Sequence, residues 1–284
     1  MQEIKKVNPL LKHFRQPAIH INLTSGGRFW PEGTLELPVT GKIPVYPMTA
    51  RDEITLRTPD ALINGTSVVE VIESCCPNIK DAWDMPSVDV DSTLIAIRIA
   101  SYGPKMSISS KCPHCDEEHD YDIGLSNLLG SINMPDYSRP VKTQDELEIY
   151  LKPMSYRHVS QSGENALEEQ RLIQTLADPD LPDDERNVKY EAHIKKMINL
   201  SIDSIAYCTD RIVTEDGTVV ADEDYIKEYY SNADSSVLRI IRTQLDEFSK
   251  IINLKPMPAT CDGCDKSFDI NIQFDYASFF GRGF

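Results

Sequence analysis

An α+β fold with internally duplicated lobes is predicted by three observations on the sequence. Short runs of alternating polar and apolar residues, typical of strands, are interleaved with longer runs of apolar residues at helical spacing. The order of these segments occurs twice along the chain. Two Cys-x-x-Cys pairs, Cys112–Cys115 and Cys261–Cys264, each lie between two alternating runs, as expected for the turn of an antiparallel hairpin.

The composition is that of an ordinary soluble globular protein. The chain has 284 residues, 40% of them hydrophobic and 26% charged, which is enough for one large domain or two modest ones. No run approaches the roughly 20 apolar residues of a membrane span. Residues 1–6 lack the apolar core of a secretory signal, so we expect a protein that is cytoplasmic or assembled in a cytoplasm.

The net charge of −16, from 29 basic and 45 acidic residues, bears on possible partners. Double-stranded nucleic acid is disfavoured, because binding it requires a positively charged surface. The densest acidic run is Asp178–Glu185. It is typical of a solvated loop, and the alternative is a docking surface for a basic partner.

Residues 1–40 are predicted to form an N-terminal arm and an aromatic loop outside the duplicated part. Asn8–His20 is compatible with an exposed arm or a short helix. The run Ser25–Gly33 is predicted to be a loop, since Gly26 and Gly27 permit backbone conformations that other residues resist. Its Phe29-Trp30 pair is either a packed lid over the core or an anchor at an interface.

Residues 41–130 are predicted to form lobe A, in the order strand, capped helix, apolar helix and hairpin. The corresponding segments are Lys42–Val45, Thr49 with Ala50–Glu53, Asp91–Ile99, and Met106–Ser110 with Asp120–Ile123. Thr49 and the residues from Asp91 are expected to cap their helices. Tyr102-Gly103 is expected to end the second helix, with Gly103 in the left-handed conformation of a helix stop.

Residues 145–284 are predicted to form lobe B, in the same order but with insertions. The equivalent segments are Glu148–Leu151, Ser155, Asp234–Arg242, and Leu254–Thr260 with Phe268–Ile272. The insertions are the acidic run, a helix around Glu185–Leu200, and a hairpin at Arg211–Val220 that turns at Asp216-Gly217. We expect the helices that run from Leu94 and from Val237 to be the most buried.

The two cysteine pairs indicate one structural metal ion. Four thiolates presented by two turns match the tetrahedral coordination of zinc, with ligands Cys112, Cys115, Cys261 and Cys264 in a zinc-ribbon-like centre of two knuckles. Such an ion would join the middle of the chain to its C-terminal part. His114 and His119 are expected to lie beside the metal without binding it, and the leftover Cys75, Cys76 and Cys208 to be buried packing residues.

Two other functions remain open for such a chain. A zinc ribbon alone would also suit an adaptor that binds nucleic acid or a polymerase. Cys-Pro-His-Cys has the spacing of a thiol–disulfide oxidoreductase, but the acidic run Asp116–Asp120 disfavours a thiolate there. The sequence contains neither a His-Glu-x-x-His motif nor a phosphate-binding glycine loop, so no enzyme activity is expected.

Four segments resemble the baseplate hub protein family of T-even-type phages. They are Ser25–Gly33, Pro47–Glu53, Leu94–Gly103 and Cys112–Cys115. The resemblance is good over residues 22–130, and beyond them it is carried by the order of features. The resemblance implies a subunit or assembly factor of a contractile-tail baseplate. Such a protein would be assembled in the host cytoplasm, lie in the virion tail and bind other tail proteins. Whether it also binds copies of itself stays open. The aromatic tail Phe279–Phe284 either contributes such contacts or folds back onto its own core.

Overall fold

The computed structural model describes residues 8–57, 65–176, 182–271 and 279–280, and it confirms the α+β class. Over these ranges the helices are a 3-10 helix (Pro9–His13), α1 (Ala50–Thr55), α2 (Thr66–Cys75), α3 (Ser87–Tyr102), α4 (Leu125–Ser131), α5 (Tyr156–Leu176), α6 (Asp183–Tyr207), α7 (Glu223–Asn232) and α8 (Ser235–Ile252). The strands are β1 (Ile19–Asn22), β2 (Lys42–Val45), β3 (Lys105–Lys111), β4 (Glu118–Gly124), β5 (Val141–Lys142), β6 (Glu148–Leu151), β7 (Thr209–Val213), β8 (Val219–Val220), β9 (Met257–Thr260) and β10 (Ser267–Ile270).

The strands form small antiparallel sheets that cannot enclose a core by themselves. Three of the sheets in the described ranges have two strands, β1-β2, β3-β4 and β9-β10, and a fourth has the order β5-β6-β7-β8. The β7–β8 connection is the predicted hairpin, and Gly217 adopts the positive φ of 81° that such a turn requires. Helices must therefore cover the apolar faces of the sheets.

The first hydrophobic core surrounds α3. Ten of the 16 residues of α3 are buried, and this helix packs against α2, β1 and β2. Leu94, Ile95 and Ile97 are almost fully inaccessible to solvent, and each such side chain contributes about 2 kcal/mol through burial. Because β1 pairs with β2, part of the predicted N-terminal arm joins the sheet of lobe A. The domain boundaries at 40 and 130–145 stay a prediction.

The second hydrophobic core lies between the four-stranded sheet and α6, α7 and α8. Its fully buried members include Ile149, Leu151 and Tyr230. The Tyr230 hydroxyl is paired with Thr209 Oγ1 at 2.8 Å, which satisfies a polar group inside the core.

Two of the predicted helix caps are confirmed and a third is wrong. Thr49 caps α1 in a reciprocal capping box with Asp52, and Asp234 caps α8 by accepting from the Ser236 N–H. The prediction that Asp91 begins a helix is wrong, because α3 begins at Ser87, directly after Pro86. Pro86 is the N-cap residue, and its carbonyl accepts from the Asp89 N–H at 2.9 Å, so the first turn of the helix lies before Asp91. The duplication stays a prediction.

The burial of the two long apolar helices differs from the expectation. The helix through Leu94 is deeply buried, as predicted, but in α8 only Val237, Ile241 and Phe248 are buried. That part of the prediction is wrong, because α8 covers one side of the second core and turns its other face to solvent. The helix stop at Gly103 is confirmed with φ 92°, although its ψ of 175° is extended and not left-handed helical.

The aromatic loop near the N-terminus is packed onto the protein. The buried Asp89 carboxylate accepts hydrogen bonds from the Ser25 N–H at 2.7 Å and from Trp30 Nε1 at 2.8 Å. Burial raises the pKa of Asp89, and these hydrogen bonds oppose the rise. The Phe29 ring lies edge-on to Tyr137, with ring centroids 5.4 Å apart. The lid interpretation of Phe29-Trp30 is confirmed.

The end of the chain returns to the first core. Phe279 and Phe280 are 4% and 6% exposed and belong to the core around α3. The Arg98 guanidinium donates to the Phe279 carbonyl and lies 5.1 Å from the centre of its ring. A contact role for these two residues is therefore wrong. Residues 281–284, and 178–181 of the acidic run, lie outside the described residues.

The helices of lobe B are longer than the sequence indicates. The predicted helix around Glu185–Leu200 is α6, which extends over 25 residues, and the helix predicted after Ser155 is α5, which extends over 21 residues. Within the described part of the chain, no helix combines the length and apolar character needed to cross a membrane.

Replacing Phe280 by alanine tests the docking of the C-terminal residues. We expect Phe280→Ala to lower the free energy of unfolding by about 3 kcal/mol, because it leaves a cavity in the first core. Phe14→Ala is the matched control, since Phe14 is 54% exposed and its loss should cost less than about 0.5 kcal/mol. Urea unfolding followed by circular dichroism measures both, and equal midpoints would contradict the docking.

Candidate metal centre

Each cysteine pair lies in the turn of an antiparallel hairpin, as predicted. In the first hairpin, β3 and β4 pair from Lys105↔Gly124 to Lys111↔Glu118. In the second, β9 and β10 pair from Met257↔Ile270 to Thr260↔Ser267. We call the connecting residues 112–117 and 261–266 the first and second cysteine turns.

The two cysteine turns have the same backbone geometry. In the first, the Asp116 N–H donates to the Cys112 carbonyl at 3.0 Å, and in the second, the Asp265 N–H donates to the Cys261 carbonyl at 2.9 Å. Both aspartates adopt the left-handed conformation, with φ 62° and 57°. Aspartate tolerates this region better than most residues, so the local sequence favours the turn.

The four sulfur atoms meet in one cluster, although the two turns are about 150 residues apart. Cys112 Sγ lies 3.8 Å from Cys264 Sγ, and Cys115 Sγ lies 3.5 Å from Cys261 Sγ. All four atoms lie within 4.8 Å of one another. Metal–sulfur bonds of about 2.3 Å in a tetrahedron place sulfurs roughly 3.8 Å apart. The cluster therefore has the size and donor set of a tetrahedral metal site.

These sulfurs are not joined as disulfides. All seven cysteines are free, and the separations are far longer than the roughly 2.05 Å of a sulfur–sulfur bond.

In each turn, hydrogen bonds from the backbone lower the pKa of the first cysteine. For Cys112, burial opposes ionisation, but hydrogen bonds from the backbone N–H groups of His114 and Cys115 lower the pKa to about 7. His114 N lies 3.4 Å from Cys112 Sγ. Burial likewise opposes ionisation of Cys261, and the N–H groups of Gly263 and Cys264 lower its pKa. Each turn thus stabilises one thiolate through its own backbone.

The pKa of the second cysteine of each turn is raised. A hydrogen bond from the Glu117 N–H favours the thiolate of Cys115, but burial and the neighbouring sulfurs outweigh it and raise the pKa to about 12. The pKa of Cys264 is also raised, although the Lys266 N–H favours its thiolate. Four adjacent thiolates repel one another, so a cation is required before all four can ionise together.

Other contacts hold the two hairpins side by side. Tyr121 and Phe268 meet edge-on, with ring centroids 5.7 Å apart. The Glu117 carboxylate of the first turn lies against Gly263 of the second. The same carboxylate lies 3.4 Å from His119 Nε2. Sequence reasoning missed these contacts, because nothing in the sequence indicates which residues of two distant hairpins meet.

The histidines and the remaining cysteines lie outside the sulfur cluster. His114 is exposed, and neither it nor His119 belongs to the group of four ligand atoms. Cys75, Cys76 and Cys208 are buried, which confirms their predicted packing role. Burial raises the pKa of Cys75 and Cys208 to about 12 and that of Cys76 well above its ordinary value.

The geometry of Cys112–Cys115 differs from that of a thiol–disulfide enzyme. In such enzymes a helix starts at the motif and its dipole stabilises the reactive thiolate. Here the motif connects two strands, and its sulfurs face those of Cys261 and Cys264.

The fold and the site define a small acidic α+β protein whose two cysteine turns form one candidate metal centre. The chain belongs to a family of phage baseplate proteins: the family described as T4 bacteriophage base plate protein matches residues 31–281, which is most of the chain. No curated protein and no solved structure matches it. Membership indicates a structural role in the phage baseplate, in the virion tail, and association with other phage tail proteins. The match continues far beyond residue 130 and includes both cysteine turns.

The contact between Tyr121 and Phe268 gives a test of the hairpin arrangement. We expect Tyr121→Ala and Phe268→Ala each to lower the melting temperature, and the double variant to lose about 2 °C less than the sum of the two losses. Phe248 lies in the second core, so Tyr121→Ala combined with Phe248→Ala should be additive. Additive losses for the first pair, measured by thermal unfolding, would contradict the contact.

Proposed function

We propose that this protein is a structural component, or an assembly factor, of the hub of a contractile phage tail baseplate. In this role it holds neighbouring tail proteins through protein–protein contacts, and one zinc ion bound by Cys112, Cys115, Cys261 and Cys264 stabilises its fold. The observation that carries the zinc proposal is the meeting of four sulfurs within 4.8 Å. The family match supports the baseplate role.

The donor set supports zinc as the ion. Four soft thiolates in a tetrahedral arrangement suit zinc or an iron–sulfur centre, and structural zinc sites are commonly built from two Cys-x-x-Cys turns. A bound zinc ion would supply the positive charge that lets all four thiols ionise. With four protein ligands no coordination position remains for water, so a structural role is favoured over a catalytic one.

The ion would tie two distant parts of the chain together. The first hairpin directly follows α3, the central helix of the first core, and the second hairpin follows α8 on the second core. Linking Cys112 to Cys264 closes a loop that spans 152 positions. Closing so long a loop restricts the unfolded chain, which stabilises the folded state.

The surface around the cysteine turns supports protein partners over nucleic acid. Five acidic residues are exposed on or beside the turns, namely Asp116, Glu117, Glu118, Asp262 and Asp265. The basic residues there are Lys111 and Lys266, and Lys111 already pairs with Asp116 at 3.2 Å. Phosphate groups would be repelled from this surface. Elsewhere on the chain, exposed apolar side chains such as Leu10 and Val39 suit contacts with other proteins.

Replacing one ligand tests the zinc proposal. The purified protein should contain one zinc per chain by elemental analysis. Cys115→Ser should lose that zinc and melt on the order of 10 °C lower, because one of four ligands is removed. Protein without zinc, together with an unchanged melting temperature for Cys115→Ser, would contradict the proposal.

Cys208→Ser is the matched control for the ligand replacement. Cys208 is 2% exposed and lies in lobe B, outside the sulfur cluster. The control should keep its full zinc content, even if the buried hydroxyl destabilises the protein. Loss of zinc from both variants would show that metal content follows general stability and not the proposed ligands.

Quantitative mass spectrometry of purified particles tests the baseplate role. A permanent hub subunit should be present in finished tails at a fixed ratio to other baseplate proteins. An assembly factor should be present in baseplate intermediates and missing from finished tails. Absence of the protein from both kinds of particle would contradict the proposed function.

A further inference from the structure

The two longest helices of the described residues form an arm whose base packs on both cores, through Tyr156 on the first and Ile205 and Ala206 on the second. We call α5 and α6 the helical arm, and their 21 and 25 residues correspond to lengths of about 32 and 38 Å. Among the described side chains of the arm, the buried ones are Tyr156, Ile205 and Ala206. All three lie at its base, where α5 begins and α6 ends.

The rest of the arm exposes large apolar side chains. Seven of them are more than a third exposed, namely Val159, Leu167, Ile173, Val188, Tyr190, Ile194 and Ile198. In α5, Val159, Ala166 and Ile173 recur every seven residues and therefore lie along one stripe. A helix that presents such a stripe requires another element to cover it.

One stripe of apolar side chains on α6 is buried at the base of the arm and exposed farther along the helix. Ile194, Ile198, Ile202 and Ile205 recur at spacings of three or four residues and share one side of the helix. Ile205 is buried and Ile202 is partly buried against the second core, whereas Ile198 is 53% and Ile194 40% exposed. The face that lobe B covers at the base of the arm thus continues outward without a cover among the described residues.

The two helices do not fill the space between themselves. Cavities of about 510 and 340 Å³ lie between α5 and α6. Asn165, Glu169, Met197 and Leu200 line both of them, so the two cavities form one groove along the arm. A groove in which Met197 and Leu200 lie beside polar side chains shows that the two helices leave space for a further element of a bundle.

The charges of the arm are self-complementary. Residues 164–169 of α5 carry three acidic groups and no basic one, whereas residues 186–196 of α6 carry four basic groups and one acidic one. Within one chain, Lys196 Nζ already pairs with Glu168 Oε2 at 2.6 Å, and His193 lies 3.7 Å from Glu169. A second arm placed antiparallel across a twofold axis would set acidic α5 beside basic α6 of the other copy.

Net charge also favours this surface for contact between copies. The arm has six basic and eight acidic residues, so it is nearly neutral in a chain of net charge −16. Two copies would repel each other least through the arm. A contact face about 30 Å long and two helices wide buries roughly 600 Å² per copy, which reaches the size of a specific interface.

We infer that the helical arms of two copies of this chain pack antiparallel into a four-helix bundle and make the protein a homodimer. The exposed stripes of α5 and α6 form the bundle core, and side chains of the second copy enter the groove between the helices. The inference is independent of the zinc site, since the arm contains none of the four cysteine ligands.

Multi-angle light scattering of the full-length protein, with its metal, tests the inference. The unaltered chain should be a dimer at tens of micromolar, and Ile198→Glu and Ile173→Glu should each raise the dimer dissociation constant at least about 30-fold. Ile54→Glu is the matched control, since Ile54 is a 68% exposed isoleucine on α1. The Ile54→Glu variant should remain dimeric. For all three variants, circular dichroism and zinc content that match those of the unaltered protein show that the chain is folded.

Cross-linking of a mixture of ¹⁴N- and ¹⁵N-labelled protein locates the interface. A carbodiimide should join Glu164 of one isotope to Lys189 or Lys195 of the other, because the acidic and basic helices of two copies lie side by side. A monomeric unaltered protein would overturn the inference. A dimer that survives both arm substitutions, or mixed cross-links confined to other surfaces, would equally overturn it.

Discussion

Four cysteine sulfurs from two distant hairpins meet within 4.8 Å of one another, which joins the chain that follows α3 to the chain that follows α8. Each cysteine turn stabilises one thiolate with its own backbone N–H groups, which lowers the pKa of Cys112 and Cys261. The neighbouring sulfurs raise the pKa of Cys115 and Cys264, so the cluster resists a fourfold negative charge. A cation among the sulfurs would be needed for all four cysteines to be thiolates together.

The C-terminal part of the chain returns to the first core at two places. The cysteine turns bring residues 261–266 to the hairpin that follows α3, and Phe279 and Phe280 enter the core around the same helix. At the second place, the Arg98 guanidinium donates to the Phe279 carbonyl and lies over the Phe279 ring. These contacts tie the part of the chain that follows α8 to the elements around α3.

Features set by local sequence were predictable, and features set by packing were not. The cysteine turns, the Asp216-Gly217 hairpin and the Thr49 cap depend on residues within a few positions of one another, and all three are confirmed. Asp91 looked like a cap, but the preceding Pro86 starts the helix earlier. The burial of α8 and the length of α5 depend on neighbours that the sequence does not identify.

X-ray absorption at the zinc edge, on the purified full-length protein, identifies the atoms that bind the metal. We expect a single shell of four sulfur atoms at about 2.3 Å and no oxygen or nitrogen ligand, as a zinc ion held by the four cysteines requires. A mixed shell containing nitrogen or oxygen, or protein that carries no zinc at all, would contradict it.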